Sequence, residues 1–392
     1  MNQPPPQPLP AAWNSGPPLP PPPLPPPPLA PPAEPAAGPT APGRAPTPQL
    51  YWGTGHGGVQ AVSVWTERVP GRGEDAEPFV VHHWESMQGL LAVFDGSGGA
   101  GAAPAWQAPD GTARTGAWVG ARTARLATDC WFHDVARDRQ DADAQSLHAY
   151  VKYFLEQAPK RQSKISGTMR RQLPTTLAGL HYEVGEGETE IAVRPLWTGD
   201  SRAYALLPHS GLQVLTRDHT RESDALELLR SDPPMTNLVC ADREFEVATH
   251  RLTLPLPCVL VAATDGFFGY VHTPGEFELL LLRTLERAHD ALEWSDLLRR
   301  EVQAYTADDA SLALLALGHR DFADLRDRFA PRYRELTDQL SVGRPGVLNG
   351  APDPGADPRE AAAGIKAWQD RTWQAYRHDY ERHLPPAPEE AR

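Results

Sequence analysis

The chain is poor in cysteine. Its three cysteines (Cys130, Cys240, Cys258), in 392 residues, are too few and too widely spaced for a disulfide framework or a zinc knuckle. No uninterrupted apolar run approaches the roughly 18 residues of a membrane-spanning helix; the best, Ser311 to Leu317, is seven residues long. The first residues lack the basic start and apolar stretch of a secretory signal. These absences predict a reducing, cytoplasmic setting with no membrane span. Basic residues are also short, 37 Lys and Arg against 50 Asp and Glu, for a net charge of −13. Twelve of those thirteen surplus charges fall on residues 49–319. A surplus of that size repels nucleic acid phosphates, which excludes a groove-binding protein. It suits a site that gathers divalent cations.

Proline, in contrast, is abundant: 43 residues, of which 22 lie within 1–48. Runs such as Pro20 to Pro23 and Pro25 to Pro28 donate no amide hydrogens and have fixed φ, so neither ladder nor helix forms. Residues 1–48 therefore read as a disordered, proline-rich leader, available to a proline-rich-motif reader with an aromatic groove. The expected organisation is this leader, a globular domain over 49–319, and a helical C-terminal extension with a Gly/Pro linker over 320–392.

From Tyr51 onward, short apolar stretches alternate with turn signals. Phe79 to Trp84 and Gly89 to Phe94 read as one strand pair, Glu190 to Leu196 and Ala203 to Leu207 as another. Leu212 to Leu215, Cys258 to Ala263 and Ser311 to Leu317 read as further strands. Helical spacing marks Ala142 to Gln157, Pro274 to His289 and Leu292 to Thr306. In the extension, Phe322, Leu325, Phe329, Tyr333, Leu336 and Leu340 form one amphipathic stripe. Ile365, Trp368, Ala375, Tyr376 and Tyr380 form a second, on a helix over Arg359 to His383. Strands in pairs and helices in blocks argue for an α+β fold, antiparallel sheets with helices outside. Gly53 to Gly58 is expected as a flexible loop, and His82 and His83 as ordinary strand residues facing opposite ways.

Acidic residues recur where apolar strands end. Leu90 to Phe94 runs into Asp95-Gly96-Ser97-Gly98-Gly99, and Val259 to Thr264 into Asp265-Gly266. Asp308-Asp309 leads into the strand from Ser311, and Glu74-Asp75 precedes the strand near Phe79. Carboxylates at buried strand ends are costly unless positive charge compensates them. If several converge, a cation between them relieves the repulsion, and oxygen-only ligands favour Mg²⁺ or Mn²⁺ over zinc. Gly199-Asp200-Ser201-Arg202 is expected as a turn in which Asp200 accepts backbone hydrogen bonds.

The order of these segments, with Leu173-Pro174-Thr175-Thr176-Leu177, Trp197 to Tyr204, Leu215 to Thr220 and Asp308-Asp309-Ala310-Ser311, resembles the bacterial-like PPM-type (type 2C) metal-dependent Ser/Thr protein phosphatases. The resemblance covers roughly residues 50–318. It implies a four-layer α-β-β-α sandwich of two antiparallel sheets, with a two-metal centre at one end. It implies Asp95, Asp265 and Asp308 as the catalytic residues. Two Mg²⁺ or Mn²⁺ ions would be held by Glu74, Asp95, the Gly96 carbonyl, Asp265 and Asp308, with Asp75 binding metal-bound water. The implied reaction is hydrolysis of phosphoserine or phosphothreonine in a phosphoprotein substrate by a metal-activated water.

Four departures accompany it, one of them Pro174 where a Gly is usual. Pro70 stands where members carry a phosphate-binding Arg, leaving Arg68 or Arg72 as candidates. Arg171 replaces an Asp associated with a third metal, and Ser97 stands where eukaryotic relatives place a His. The lost phosphate Arg and Arg171 motivate the alternative reading, a weakly active or inactive phosphatase-like domain that serves as a binding or regulatory module. A further rival is a metal phosphohydrolase acting on something other than phosphoprotein. The polar stretch from His219 to Glu246 corresponds by position to a substrate-contacting flap.

Overall fold

A computed structural model describes residues 50–56, 58–159, 171–185, 189–231, 233–344 and 358–386. The proline-rich leader, its expected reader and most of the Gly/Pro linker lie outside these residues.

In chain order the elements begin with β1 (Leu50–His56), β2 (Val59–Thr66), β3 (Phe79–His83), β4 (Gln88–Val93), α1 (Gly98–Gly101), β5 (Pro104–Gln107) and β6 (Ala113–Thr115). There follow α2 (Gly116–Asp138), α3 (Ala144–Gln157), β7 (Leu177–Val184), β8 (Glu190–Thr198), β9 (Arg202–Leu207), β10 (Gly211–Val214) and α4 (Ala225–Arg230). The rest are β11 (Ala248–Thr249), β12 (Leu252–Pro255), β13 (Cys258–Ala263), α5 (Asp265–Phe268), α6 (Pro274–Arg287), α7 (Ala291–Tyr305), β14 (Ala310–Leu317), α8 (Phe322–Ser341) and α9 (Pro358–Tyr380).

Two antiparallel sheets face each other. One runs β1-β2-β14-β13-β9-β10, the other β11-β8-β7-β4-β3, with β12 also on β8. Side chains on a strand alternate between faces, and here both faces are apolar. In β13, Cys258, Leu260 and Ala262 enter the core between the sheets with Leu91 and Val93 of β4. Val259, Val261 and Ala263 face outward into a second core with Phe277, Trp294 and Phe329 of α6, α7 and α8. On the other side, Leu90 and Ala92 of β4 meet Trp131 and Phe132 of α2 and Leu147 and Val151 of α3. Three cores between four layers make the α-β-β-α sandwich that the family resemblance implies, and these runs read as buried on both sides for that reason.

Several local expectations change. β8 and β9 do not pair as a hairpin: β8 lies between β7 and β11 in one sheet, while β9 joins β13 and β10 in the other. The turn at Gly199-Asp200-Ser201 therefore carries the chain from sheet to sheet. Gly53 to His56 is strand rather than loop, paired with β2 from Gly53↔Val62 to His56↔Val59. The Gly53 position explains the glycine, since a Cβ there would overlap the Ala291 and Leu292 backbone at the start of α7. In α9, Trp368, Trp373, Tyr376 and Tyr380 are buried, whereas Ile365 and Ala375 of the expected stripe are exposed.

The extension packs on the outer face of the first sheet. Glu278 of α6, fully buried, receives the Arg332 guanidinium of α8 (Nε to Oε1 2.7 Å) and the Tyr376 hydroxyl of α9 (2.5 Å). Among the described residues no helix is long and apolar enough to cross a membrane.

Candidate active site

Strand ends from both sheets meet at one end of the sandwich, and each brings a carboxylate. β4 delivers Asp95, the β2–β3 connection Glu74 and Asp75, the β8–β9 crossover Asp200, β13 Asp265, and the turn before β14 Asp308 and Asp309.

Asp75 is the most enclosed, 2% exposed, and its Oδ2 accepts from the Thr264 hydroxyl (3.1 Å) and the Ser311 hydroxyl (3.0 Å). One carboxylate thus joins the ends of β13 and β14 to the β2–β3 connection. The Asp309 carboxylate performs the reciprocal task, accepting from the Arg68 amide (2.8 Å) and the Glu74 amide (2.6 Å). The Thr115 hydroxyl donates to Glu74 Oε1, and Arg122 Nη1 reaches the Glu74 carbonyl at 3.3 Å.

Asp95 is held through its backbone. Its amide donates to the Thr176 hydroxyl (3.1 Å), and its carbonyl accepts from the Thr175 hydroxyl (2.7 Å) and the Thr176 amide (2.8 Å). The Thr-Thr pair is therefore a backbone clamp that leaves the carboxylate unused. Gly96 is needed for close approach: a Cβ there would lie 2.5 Å from the Glu74 carbonyl oxygen. Asp200 sits after Gly199, whose φ of +98° belongs to the left-handed region that favours glycine. His219 closes that turn, its Nδ1 accepting from the Gly199 amide at 3.0 Å.

The electrostatics follow from this crowding. Burial pushes Asp95 well above the usual carboxylate range, and the charges of Asp75, Asp265, Asp200 and Asp308 push it further. Asp75 is raised well above its ordinary value by burial and by Asp309 and Asp265, against the two hydroxyl hydrogen bonds. Asp200 is raised by burial and then by Asp265 and Asp218. Glu74 is raised by burial, and the Thr115 hydrogen bond opposes this. Neighbouring carboxylates that raise one another's proton affinity mark a region of negative potential, which protons or cations relieve.

Next to this cluster, Arg202 and Asp218 form a bidentate pair (2.9 and 2.8 Å), each side chain 5% exposed. A cavity of about 330 Å³ opens here, lined by Asp200, Asp265 and Asp308 and also by Arg230 and Tyr270. Among the described residues, no three His, Cys, Asp or Glu side chains form a ready-made ion-holding group.

The structure brings Glu74, Asp75, Asp95, Gly96, Asp265 and Asp308 to one place and adds Asp200 and Asp309. Asp200 was expected only as a turn former. A signal was present, since it is a strand-end acid flanked by glycine, like Asp95 and Asp265. Asp309 adjoins the expected Asp308, and no spacing rule says which of two consecutive acids braces and which faces the cavity. Arg68 and Arg72 are both exposed on the β2–β3 connection. His82 and His83 stand apart from the cluster, bonded to the Tyr182 hydroxyl (2.7 Å) and the Ser86 hydroxyl (2.8 Å).

No protein-family profile and no curated protein matches the chain. Solved structures of Ser/Thr phosphatases resemble it loosely. The catalytic domain of PstP, solved with two manganese ions, is 17% identical, over 66% of this chain and 98% of its own, with a TM-score of 0.42. Stp1 from Staphylococcus aureus is 16% identical, over 66% and 94%, with a TM-score of 0.44. The PPM Ser-Thr phosphatase MsPP from Mycobacterium smegmatis, solved with cacodylate, is 14% identical, over 66% and 98%, with a TM-score of 0.44.

Proposed function

We propose that the chain is a PPM-type phosphatase whose globular part, residues 49–319 with the 320–392 extension packed on it, hydrolyses phosphoserine or phosphothreonine in proteins with the help of two divalent cations. The observation that carries this is the convergence of Asp75, Asp95 and Asp200, each raised by burial and by its carboxylate neighbours. Structure spent on assembling mutually repelling groups is retained where a positive ligand is expected.

The donor set fits a hard cation, because it is made of oxygens alone. Glu74, Asp95, the Gly96 carbonyl, Asp265 and Asp308 would hold two Mg²⁺ or Mn²⁺ ions, and Asp200 adds a further oxygen donor at the cavity. When bound, such ions lower the pKa of water and neutralise charge on a phosphoryl group. The chain's own residues do the rest. Asp75, fixed by Thr264 and Ser311, presents its remaining oxygen as an acceptor that orients an attacking water. Gly96 and Gly266 let the strand ends close until their carboxylates share one space. The Arg202–Asp218 pair supplies a rigid wall of compensated charge beside the cavity. Arg68 or Arg72, exposed on the connection that also carries Glu74 and Asp75, would meet the substrate phosphate.

The test is hydrolysis of p-nitrophenyl phosphate and of a phosphothreonine peptide with Mn²⁺ and after chelation, for wild type and Asp95→Ala. Turnover of both substrates that needs Mn²⁺ and falls at least a hundredfold in the variant is expected. No Mn²⁺-dependent turnover by the wild type would sink the proposal and favour a binding or regulatory module. Turnover of the small ester alone would favour another phosphate substrate.

A further inference from the structure

Helix α4 contributes Leu228, Leu229 and Arg230 to the wall of the cavity that Asp200, Asp265 and Asp308 also line, and it is only six residues long. Six residues are too few for a helix to be stable unaided. What holds α4 comes from far along the chain, and it comes to both ends.

Asp224 caps the N-terminus. Its Oδ1 accepts from the Leu226 amide (2.9 Å) and the Glu227 amide (3.2 Å). Its other oxygen accepts from Arg377 Nη1 (2.8 Å) and Trp373 Nε1 (3.2 Å) of α9. At the other end Arg230, which lines the cavity, donates to Asp370 Oδ1 (2.7 Å) and Gln369 Oε1 (3.1 Å) of α9, besides Glu227 within α4 (2.7 Å). The strand-end side is tied as well: Arg217, next to Asp218, donates from Nε to the Pro385 carbonyl at 3.0 Å. Trp373 and Tyr380 are each 2% exposed, so α9 is anchored by its own aromatic face rather than by these polar links.

We propose that α9 is a positioning element for the substrate cavity, acting through Asp224 and Arg230 to set the α4 wall on which a phosphoprotein chain rests. This rests on the phosphatase reading for its substrate and on geometry alone for the link between α9 and α4. A small aryl phosphate has little beyond its phosphoryl group for the wall to hold. A peptide extends past the phosphate and meets it. The wall therefore governs peptide binding and leaves the chemistry of the phosphoryl group untouched. Asp370 and Arg377 are positioning residues, since neither lines the cavity.

The experiment uses the full chain and the double variant Asp370→Asn, Arg377→Gln, which removes both charge links and leaves Trp368, Trp373, Tyr376 and Tyr380 buried. Hydrogen exchange at the Leu228 and Ser231 amides, bonded to the Asp224 and Glu227 carbonyls at 3.0 Å each, reads the wall directly and needs no activity. Exchange there is expected to quicken at least tenfold, with β13 and β14 unchanged. KM for a phosphothreonine peptide is expected to rise at least fivefold, with kcat/KM for p-nitrophenyl phosphate within twofold of wild type. Unchanged exchange at Leu228 and Ser231 would overturn the proposal, as would equal losses on both substrates. If the wild type hydrolyses neither substrate, the phosphatase reading fails, and the exchange measurement still decides whether α9 holds α4. Should the double variant melt far below wild type, the single variant Asp370→Asn repeats both measurements at the Arg230 end.

Discussion

The Thr176 and Ser201 hydroxyls lie 2.6 Å apart, in buried surroundings. Thr176 precedes β7 in one sheet and Ser201 precedes β9 in the other, so this contact spans the sandwich at the site. Thr176 also accepts from the Asp95 amide at 3.1 Å. One hydroxyl thus sets the spacing between the turns that carry Asp95 and Asp200.

Thr176→Val keeps the shape and removes the hydroxyl. The Asp95 amide and the Ser201 hydroxyl each lose a partner in a dry place, which costs about 1–3 kcal/mol. A melting temperature lower by several degrees is expected, with a fall in kcat and little change in the far-ultraviolet spectrum. An unchanged melting curve would show that the turns are held by other contacts.

Gly266→Ala sets two effects against each other. Gly266 is in the first turn of α5, where alanine is intrinsically better than glycine by about 1 kcal/mol. A Cβ there, however, would overlap the Asp309 carbonyl oxygen and crowd Ala310. The obstruction is backbone, which yields poorly, and overpacking of this kind typically costs about 1–3 kcal/mol. Overlap is expected to win, displacing Asp308 and Asp309 and reducing both stability and Mn²⁺ binding measured by calorimetry. A variant as stable as wild type with the same Mn²⁺ affinity would contradict this.

His181 predicts how acid acts on the fold away from the site. It lies in β7 opposite Arg194, 3% exposed, with Nε2 3.0 Å from Gln88 Oε1. Burial, and then the Arg194 cation, push its pKa down to about 4. An unfolded histidine takes its proton near pH 6.5. Between those values the unfolded chain binds a proton that the folded one refuses. The contribution is therefore fully present above about pH 6.5 and is lost as pH falls toward 4, at roughly 1.4 kcal/mol per pH unit at most. Urea midpoints at pH 7, 5.5 and 4.5 are expected to fall less steeply for His181→Gln than for wild type. Parallel falls would assign the acid sensitivity to other groups.

Much of the fold was legible because strand alternation and helical periodicity are local. Phe79 to His83, Cys258 to Ala263 and Pro274 to Arg287 stand close to where their apolar patterns put them. Helix α2 went unread for a physical reason: its buried face includes Gly116, Ala117, Gly120, Ala121, Ala124 and Ala127. Small residues give a weak apolar signal, yet they are what close packing needs. At Gly120 a Cβ would lie 2.3 Å from the Leu173 carbonyl oxygen.

What the sequence by itself determined is the alternation that makes each strand two-sided and the habit of ending apolar strands in an acid followed by glycine. Both depend on residues within a few positions of one another. Which sheet each strand joins, whether Asp200 is a turn former or a member of the carboxylate cluster, and what steadies α4 were decided by tertiary structure alone. Those outcomes rest on contacts between residues up to 241 positions apart, such as Arg68 with Asp309. No local pattern encodes them, because they are fixed only when three cores close at once and bring the strand ends together.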